Sequence, residues 1–248
     1  MADDARQPTA AMIVIGDEVL SGRTRDANMH HLAKALDRHG IALVEARFVR
    51  DDPRAIAEAV NALRARHDHV FTSGGIGPTH DDVTADAVAA AFGVPIGVRE
   101  DARKLLAAHY ARRGMEFNEA RRRMARIPDG AALIPNPVSV APGFSLGNVH
   151  VMAGVPSVFR AMLDEVLNRI AGGPPTTSRA LRVTRPEGEV AGPVARLPAR
   201  HPEVAIGSYP FDGPGGTGTT LVARGTDPAA VERALAELRE TFPDGELL

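Results

Sequence analysis

The chain has 248 residues, enough for one large α/β domain, or for a domain of ordinary size followed by a small one. Its 29 basic and 31 acidic residues leave a formal charge of −2, so neither nucleic acid nor an anionic membrane is an expected partner. There is no cysteine, which excludes disulfides, thiolate-ligated zinc, iron–sulfur clusters and a cysteine nucleophile, and fits a reducing compartment.

No apolar run approaches the roughly 20 residues that cross a bilayer. The start, Met1 to Thr9, is polar and acidic at Asp3-Asp4, the opposite of a signal peptide's basic start and apolar centre. A soluble, cytoplasmic protein is the expectation.

In chain order, the apolar run Ala11 to Ile15 ends at Gly16 and predicts a buried parallel strand opening into a loop. That loop carries Asp17, Glu18, Ser21, Gly22 and Arg23. A helix from Ala27 follows, with Met29, Leu32, Ala33 and Leu36 on one face, stopped by Gly40. Ile41 to Val49 reads as a second strand. Asp51-Asp52-Pro53 is a helix start, because Asp52 can cap free amides and a first-turn proline loses nothing by lacking an N–H. Ile56, Val60 and Leu63 form that helix's buried stripe.

A third strand over Val70 to Thr72 delivers the backbone into Ser73-Gly74-Gly75-Ile76-Gly77-Pro78-Thr79-His80-Asp81-Asp82-Val83-Thr84, with a helix from Thr84 to Phe92 ending at Gly93. An extended segment over Val94 to Val98 and helices near Asp101 to Arg113 and Asn118 to Ala125 come next. Ala131 to Ile134, Gly143 to Leu146 and Val149 to Met152 read as strands, the last two joined by a hairpin at Gly147-Asn148. A helix from Pro156 to about Ile170 closes this part. The alternation implies a mostly parallel sheet covered on both faces, with ligands at the carboxyl ends of the strands.

Gly172 to Ser178 has linker composition. Beyond it the pattern predicts a strand (Ala180 to Thr184), a helix carrying Val190, Val194 and Leu197, a strand (Val204 to Ser208), a Gly/Pro-rich excursion from Pro210 to Gly218, a strand (Thr219 to Ala223) and a helix from Pro228. The domain assignment is therefore 10–171 for a three-layer α/β/α domain and 179–248 for a small α+β domain. A core of about 70 residues is marginal alone, so docking or homo-oligomer contacts are expected.

Strand, glycine turn and helix N-terminus together make an anion site: glycines let the main chain approach a phosphate, and the free amides and positive dipole end of the helix favour negative charge. Gly74, Gly75 and Gly77 are the candidate cradle. Asp81 and Asp82 would repel a bare phosphate, so a divalent metal, most simply Mg2+, reconciles them. The bland alternative is that glycines merely turn the chain while Asp82 or Thr84 caps a helix. Asp51 repeats the choice between ligand and cap. Asp17 and Glu18 belong either to an acidic surface loop or to a contact with metal or ligand. His30 and His31 point apart on their helix, His67 and His69 are expected to face solvent, and His80 either donates to an anion, acts in proton transfer or packs locally. The cluster Arg112, Arg113, Arg121, Arg122, Arg123 and Arg126 is either a solvated helix face or a clamp for ligand phosphates. Neither a Walker loop nor a dinucleotide fingerprint nor a serine-hydrolase elbow is present.

Ser73 to Thr84 resembles the Thr-Gly-Gly-x-Gly-Pro-Thr-x-Asp-Asp-x-Thr signature of the MoaB/Mog molybdopterin-binding domain, found at the N-terminus of CinA (competence/damage-inducible) proteins and in some FAD synthases. Ile15 to Gly22, Asn28, Asn136-Pro137, Ala141 to Phe144 and Ala153-Gly154-Val155-Pro156 fall in the order of that family's other motifs. Ala153 stands where many relatives have proline, and neither CinA's amidohydrolase domain nor the FAD-synthase catalytic domain is present in this sequence. Ser208-Tyr-Pro is similar to the small domain of FAD-synthase-like members.

The resemblance implies a crevice that takes molybdopterin or an adenine nucleotide, with Asp82 and the Asp51 region matching the family's catalytic, metal-holding acids and Asp81 beside them. Its ligand-binding set here comprises Gly16, Asp17, Glu18, Ser21, Gly22, Asn28, Ser73, Gly74, Gly75, Gly77, Thr79, Thr84, Gly154 and Pro156. The expected activity is Mg2+-dependent attack on a pyrophosphate, as in ADP-ribose or FAD. The alternatives are a molybdopterin adenylyltransferase, a non-catalytic carrier or sensor, and an oligomeric scaffold.

Overall fold

The computed structural model describes residues 7–213 and 216–248. The polar start of the chain up to residue 6, and residues 214 and 215 within the expected excursion, lie outside the described residues. The chain divides into two units, Met1–Gly173 and Pro174–Leu248, two residues later than the expected end of the first domain.

The first unit runs β1 (Thr9–Ile15), α1 (Asp17–Leu20), α2 (Asn28–Arg38), β2 (Ala42–Val49), α3 (Pro53–Arg64), β3 (His69–Ser73) and α4 (Thr84–Phe92). It continues through β4 (Ile96–Val98), α5 (Glu100–Arg112), α6 (Glu119–Arg123), β5 (Arg126–Pro128), β6 (Ala132–Ile134), β7 (Gly143–Leu146), β8 (Val149–Met152) and α7 (Pro156–Leu167). Six strands form one sheet in the order β2-β1-β3-β8-β7-β6. The pairs β1/β2, β1/β3 and β3/β8 are parallel, and β8/β7 and β7/β6 are antiparallel. The expected mostly parallel sheet is therefore present, with an antiparallel flank created by the Gly147-Asn148 turn. Loops after β1, β2, β3 and β8 all leave from one rim.

Two apolar layers cover the sheet. Ile56, Val60 and Leu63 of α3 pack with Ile13, Val70, Val88, Leu106 and Phe144 on one face. Leu32 and Leu36 of α2 pack with Met12, Phe71, Phe159, Met162 and Leu163 on the other. Ile56, Val60 and Leu63 are fully buried, each contributing roughly 1.5–3 kcal/mol over an exposed position. Asp52 caps α3 as its sequence implied, accepting from Arg54 N and Ala55 N at 2.9 and 2.8 Å.

Several expectations are corrected. The loop after β1 contains the single turn α1. The extended segment near Val94 joins β4, which pairs with β5 in a separate two-stranded antiparallel ribbon; β5 follows directly on the expected helix end. Its three residues are too few to show alternation. His67 and His69 do not face solvent: the His67 side chain is 10% exposed, with Nε2 3.5 Å from Glu45 Oε2, and His69 Nδ1 lies 3.3 Å from His150 Nε2. A charged residue at Glu45 and a partner on β8 drew both inward.

The second unit comprises β9 (Thr177–Val183), α8 (Glu187–Val194), α9 (Leu197–Arg200), β10 (Ala205–Gly213), β11 (Gly216–Gly225), α10 (Pro228–Thr241) and β12 (Glu246–Leu247), with sheet order β10-β11-β9-β12. The expected Gly/Pro-rich excursion is instead the end of a long hairpin: Pro210 pairs with Thr219, and Gly213 with Gly216. Proline is tolerated because β10 is an edge strand. Leu181, Val183, Leu221, Val231, Leu238 and Phe242 form this unit's own core. No helix among the described residues is long and apolar enough to cross a membrane.

At the sheet centre His150 is buried, with Nδ1 2.9 Å from Ser145 Oγ and its ring 5.0 Å from that of Phe71. Burial, then the neighbouring His69, push its pKa down to about 3. The depressed value means that the neutral ring stabilises the fold above the ordinary pKa of 6.5, and this contribution is lost as pH falls from 6.5 towards 3. Denaturant unfolding at a series of pH values should show stability falling by up to about 1.4 kcal/mol per pH unit in that window. His150→Gln should lower stability at pH 7.5 yet flatten this acid dependence; equal slopes for both proteins would contradict the assignment.

Candidate functional site: a glycine-loop cleft at the sheet rim

The site is built at the end of β3. Gly74 and Gly75 take φ values of +111° and +69°, and a Cβ on them would lie 2.2 Å from Ile15 O and 2.1 Å from Thr84 Oγ1 respectively. Any other L-residue would therefore meet both backbone strain and collision. Thr84, fully buried, closes the loop: its N–H donates to Gly75 O and its hydroxyl to Gly74 O, both at 3.0 Å. Val83 occupies the cap position of α4 and no side chain caps it. The alternative of Asp82 or Thr84 as a helix cap is thus not what the structure shows. Gly74 N–H already donates to Met152 O at 3.1 Å, so the amides left to face a ligand are those of Gly75, Ile76 and Gly77, which donate to no described residue.

A second clip holds the loop from behind. Asn28, 3% exposed at the start of α2, donates through Nδ2 to Ser73 Oγ and to Gly154 O, each at 2.7 Å. It ties the end of β3 to the turn after β8. Asp26 supports it by accepting from Asn28 N and Met29 N at 3.3 and 2.9 Å. These bonds to Asp26 escaped the sequence reading, which started the helix at Ala27.

The acids arrive on separate loops. Asp82 Oδ2 accepts from Thr79 N at 2.7 Å and from the Thr79 hydroxyl, which folds the loop after Gly77 back on itself. Asp51 accepts from Asp17 N at 2.9 Å, while Asp17's carboxylate pairs with Arg50 at 3.0 Å. That pair holds the Asp17 carboxyl below the usual range, chiefly through the hydrogen bond from Arg50. Asp51 is pushed above it by burial, and the nearby Glu18, Asp17 and Asp81 charges add to the rise. Asp51 therefore feels the charges of Glu18 and Asp81.

An open cleft of ≈ 530 Å³ gathers these parts. Its rim carries Glu18, Asp51, Asp81, Asp82 and the loop Gly74 to Gly77; its walls are Ile15, Met124, Ala141, Ala153, Val155 and Val158, with Asn136 and Ser139 as neutral polar groups. Of the sequence-predicted site residues, Glu18, Asp51, Asp81, Asp82, Gly74, Gly75, Gly77, Gly154 and Pro156 line it. Ser73, Thr84 and Asn28 are buried behind it as braces, and Thr79 braces Asp82. Gly16, Asp17, Ser21 and Gly22 do not line it; Asp17 contributes only its amide, to Asp51. The sequence reading missed Thr24, Met124, Ser139 and Val158 as lining, and quoted Ile76 only as part of the glycine turn. Met124 follows directly on α6, and nothing in its local pattern distinguishes it from core. His80 is almost fully exposed, 3.9 Å from Asp81.

Residues 11–172 match the family model described as "Probable molybdopterin binding domain". The chain belongs to that family. Residues 175–248 match a second model, "FAD synthase, middle domain". A protein of Archaeoglobus fulgidus is 30% identical over 94% of this chain and 97% of its own length. A CinA-like protein of Myxococcus xanthus is 36% identical over 79% of this chain, and one of Citrifermentans bemidjiense 40% identical over 65% of it. The chain spans 50% and 40% of those two CinA-like proteins. The crystal structure of a CinA protein of unknown function from Thermoplasma acidophilum superimposes with a TM-score of 0.60 at 32% identity, over 65% of this chain and 97% of that one. The molybdopterin-binding-domain fold read from the Gly74–Thr84 signature is thereby shown, with the antiparallel-sheet unit as an addition.

Two substitutions test the construction. Asn28→Ala removes one clip and leaves Ser73 buried with a lost partner, so chemical denaturation should register a loss of roughly 1–3 kcal/mol; a change under about 0.5 kcal/mol would show the clip to be incidental. Because Asp51's pKa is raised in the folded state, its contribution to stability is present at low pH and is lost as pH rises from the ordinary 3.8 through the raised value. Asp51→Asn, whose amide oxygen can still accept from Asp17 N, should therefore melt slightly higher at pH 7, on the order of 1 °C, with no gain at pH 3. A lower melting point at pH 7 would contradict a cost of burying the Asp51 charge beside the other acids.

Proposed function

We propose that the cleft binds a pterin or an adenine nucleotide with a phosphate on the glycine loop, and that the protein acts as a Mg2+-dependent enzyme at a phosphoanhydride of that ligand. The observation that carries this reading is the meeting, in one cleft, of the free amides of Gly75, Ile76 and Gly77, four carboxylates from three loops, and an apolar wall wide enough for a ring. Amides without carboxylates would suit a simple anion; carboxylates without amides would suit a cation alone. Together they suit a diphosphate with its counter-cation.

The donor set fits Mg2+ in a particular way. Among the described residues no group of three or more His, Cys, Asp or Glu converges as a free-standing metal centre. Magnesium characteristically takes one or two carboxylates and completes its shell with water and substrate phosphate oxygens. Asp82 and Asp51 are the residues that would hold it, joined by the ligand itself. Bound there, the cation would neutralise the anhydride oxygens and ease attack by water. The chain's own share is positional: Gly75 to Gly77 fix the phosphate, Thr79 orients Asp82, and Asp17 N orients Asp51. In the reaction a water oxygen bonds to phosphorus, the bridging anhydride bond breaks, the bridging oxygen leaves with the other phosphoryl group, and the water's proton passes to solvent or a cleft carboxylate. The match of residues 175–248 to a FAD-synthase domain makes FAD a substrate to test beside ADP-ribose and ATP.

A second reading, a carrier or sensor that binds without reaction, is favoured by one observation: Asp82 Oδ2 is occupied by both Thr79 donors. Product analysis separates the two. Incubated with Mg2+ and ADP-ribose, FAD or ATP, the wild-type protein should release phosphomonoester or phosphate. Asp82→Asn, whose amide oxygen can keep the Thr79 bonds, should melt within a few degrees of wild type and lose turnover by roughly 100-fold or more. Ligand-induced stabilisation with no product under any divalent cation would establish the carrier reading, and full turnover by Asp82→Asn would remove that residue from the chemistry.

A further inference from the structure

The cleft's charge is one-sided. Its described lining holds Glu18, Asp51, Asp81 and Asp82 but no lysine or arginine. A separate groove of ≈ 700 Å³ carries Asp86, Glu119, Arg122, Arg123 and Arg126 as its charged residues. A narrow cavity links the two spaces: it shares Gly75, Ile76, Gly77 and Asp82 with the cleft, and Asp86, Arg123 and Arg126 with the groove. The glycine loop thus walls both the acidic, apolar cleft and the narrow cavity, and that cavity reaches Arg123 and Arg126 of the groove.

Not every arginine here is available. Arg126 pairs with Asp86, and Arg121 donates to Glu116 O while its guanidinium lies over the Tyr110 ring at 4.3 Å. Arg122 and Arg123 are exposed and in no ion pair with a described residue. Against them stands Glu119 on the same short helix, so the groove keeps a net positive charge. Two unpaired guanidinium groups, each able to give two parallel N–H donors, suit a phosphate dianion far better than a hydroxyl-bearing sugar.

We propose that this groove is a second anion subsite, which takes the terminal phosphate of a ligand whose ring fills the apolar cleft and whose inner phosphate lies on the glycine loop. The proposal rests on the reading that the loop binds phosphate, and it narrows the ligand class. Compounds ending in a run of phosphates are favoured over diphosphates flanked by two neutral groups. It also gives the arginines a role distinct from Mg2+: the cation offsets charge on the acidic side, the guanidinium groups on the other.

Isothermal titration of the full chain with AMP, ADP, ATP and inorganic tripolyphosphate, all in Mg2+, tests this. Wild type should bind ATP about tenfold or more tighter than AMP. The double variant Arg122→Ala/Arg123→Ala should lose that advantage while its AMP affinity stays within about twofold, whereas Arg112→Ala/Arg113→Ala, which removes equal charge outside the groove, should keep it. Tripolyphosphate should compete with ATP in wild type and bind the groove variant at least about tenfold more weakly. AMP binding without an ATP advantage, an advantage that survives the groove variant, or tripolyphosphate binding that ignores it would overturn the subsite and leave the loop's phosphate reading standing. Absence of binding by all four compounds would overturn both.

Discussion

The architecture of the site depends on one closure: Thr84, buried at the start of α4, bonding by backbone and hydroxyl to the carbonyls of Gly75 and Gly74. This contact turns two carbonyls inward. The amides of Gly75, Ile76 and Gly77 keep no partner among the described residues, and donors without partners are what an anion needs. Glycine is required where the closure is tightest, because a side chain at Gly75 would occupy the space of the Thr84 hydroxyl. Asn28 secures the same loop from the other side, so the cradle is clamped between two helices and the central strands rather than hanging from a flexible turn.

The acids obey a different logic. They sit on loops after β1, β2 and β3, and adjacency of these three strands in the sheet brings them together. Burial, with the neighbouring Glu18, Asp17 and Asp81 charges added to it, holds the Asp51 carboxyl above its usual range, and the described lining of the cleft offers no basic residue to offset it. Sites that store such unfavourable charge are candidates for binding a counter-ion or a cationic transition-state feature. Arg122, Arg123 and Arg126 line a separate groove instead. This segregation gives the site a direction, from an apolar, acidic chamber to a basic one.

Signal in the sequence was strong where the physics is local. The stretch Ser73 to Thr84 disclosed strand, turn and helix in succession, and Asp52-Pro53 disclosed a cap, because each depends on neighbours within a few positions. It was weak for β5 and for the end of the β10/β11 hairpin. There, strand structure comes from pairing with a distant partner, and Pro and Gly read as breakers until an edge position excuses them. The inward turn of His67 and His69 was illegible for the same reason, since Glu45 and His150 are their environment.

The sequence by itself determined the family and most of the elements of the first unit, since short-range glycine, proline and capping chemistry encodes them. Only the tertiary structure decided which of the nominated residues touch the cleft. Ser73 and Thr84 belong to the same motif as Gly75 and Asp82, and Asn28 to another motif of the family, yet burial made braces of these three and lining of Gly75 and Asp82. Whether a polar side chain faces ligand or core is fixed by what packs behind it, and that is supplied by strands and helices far away in the chain.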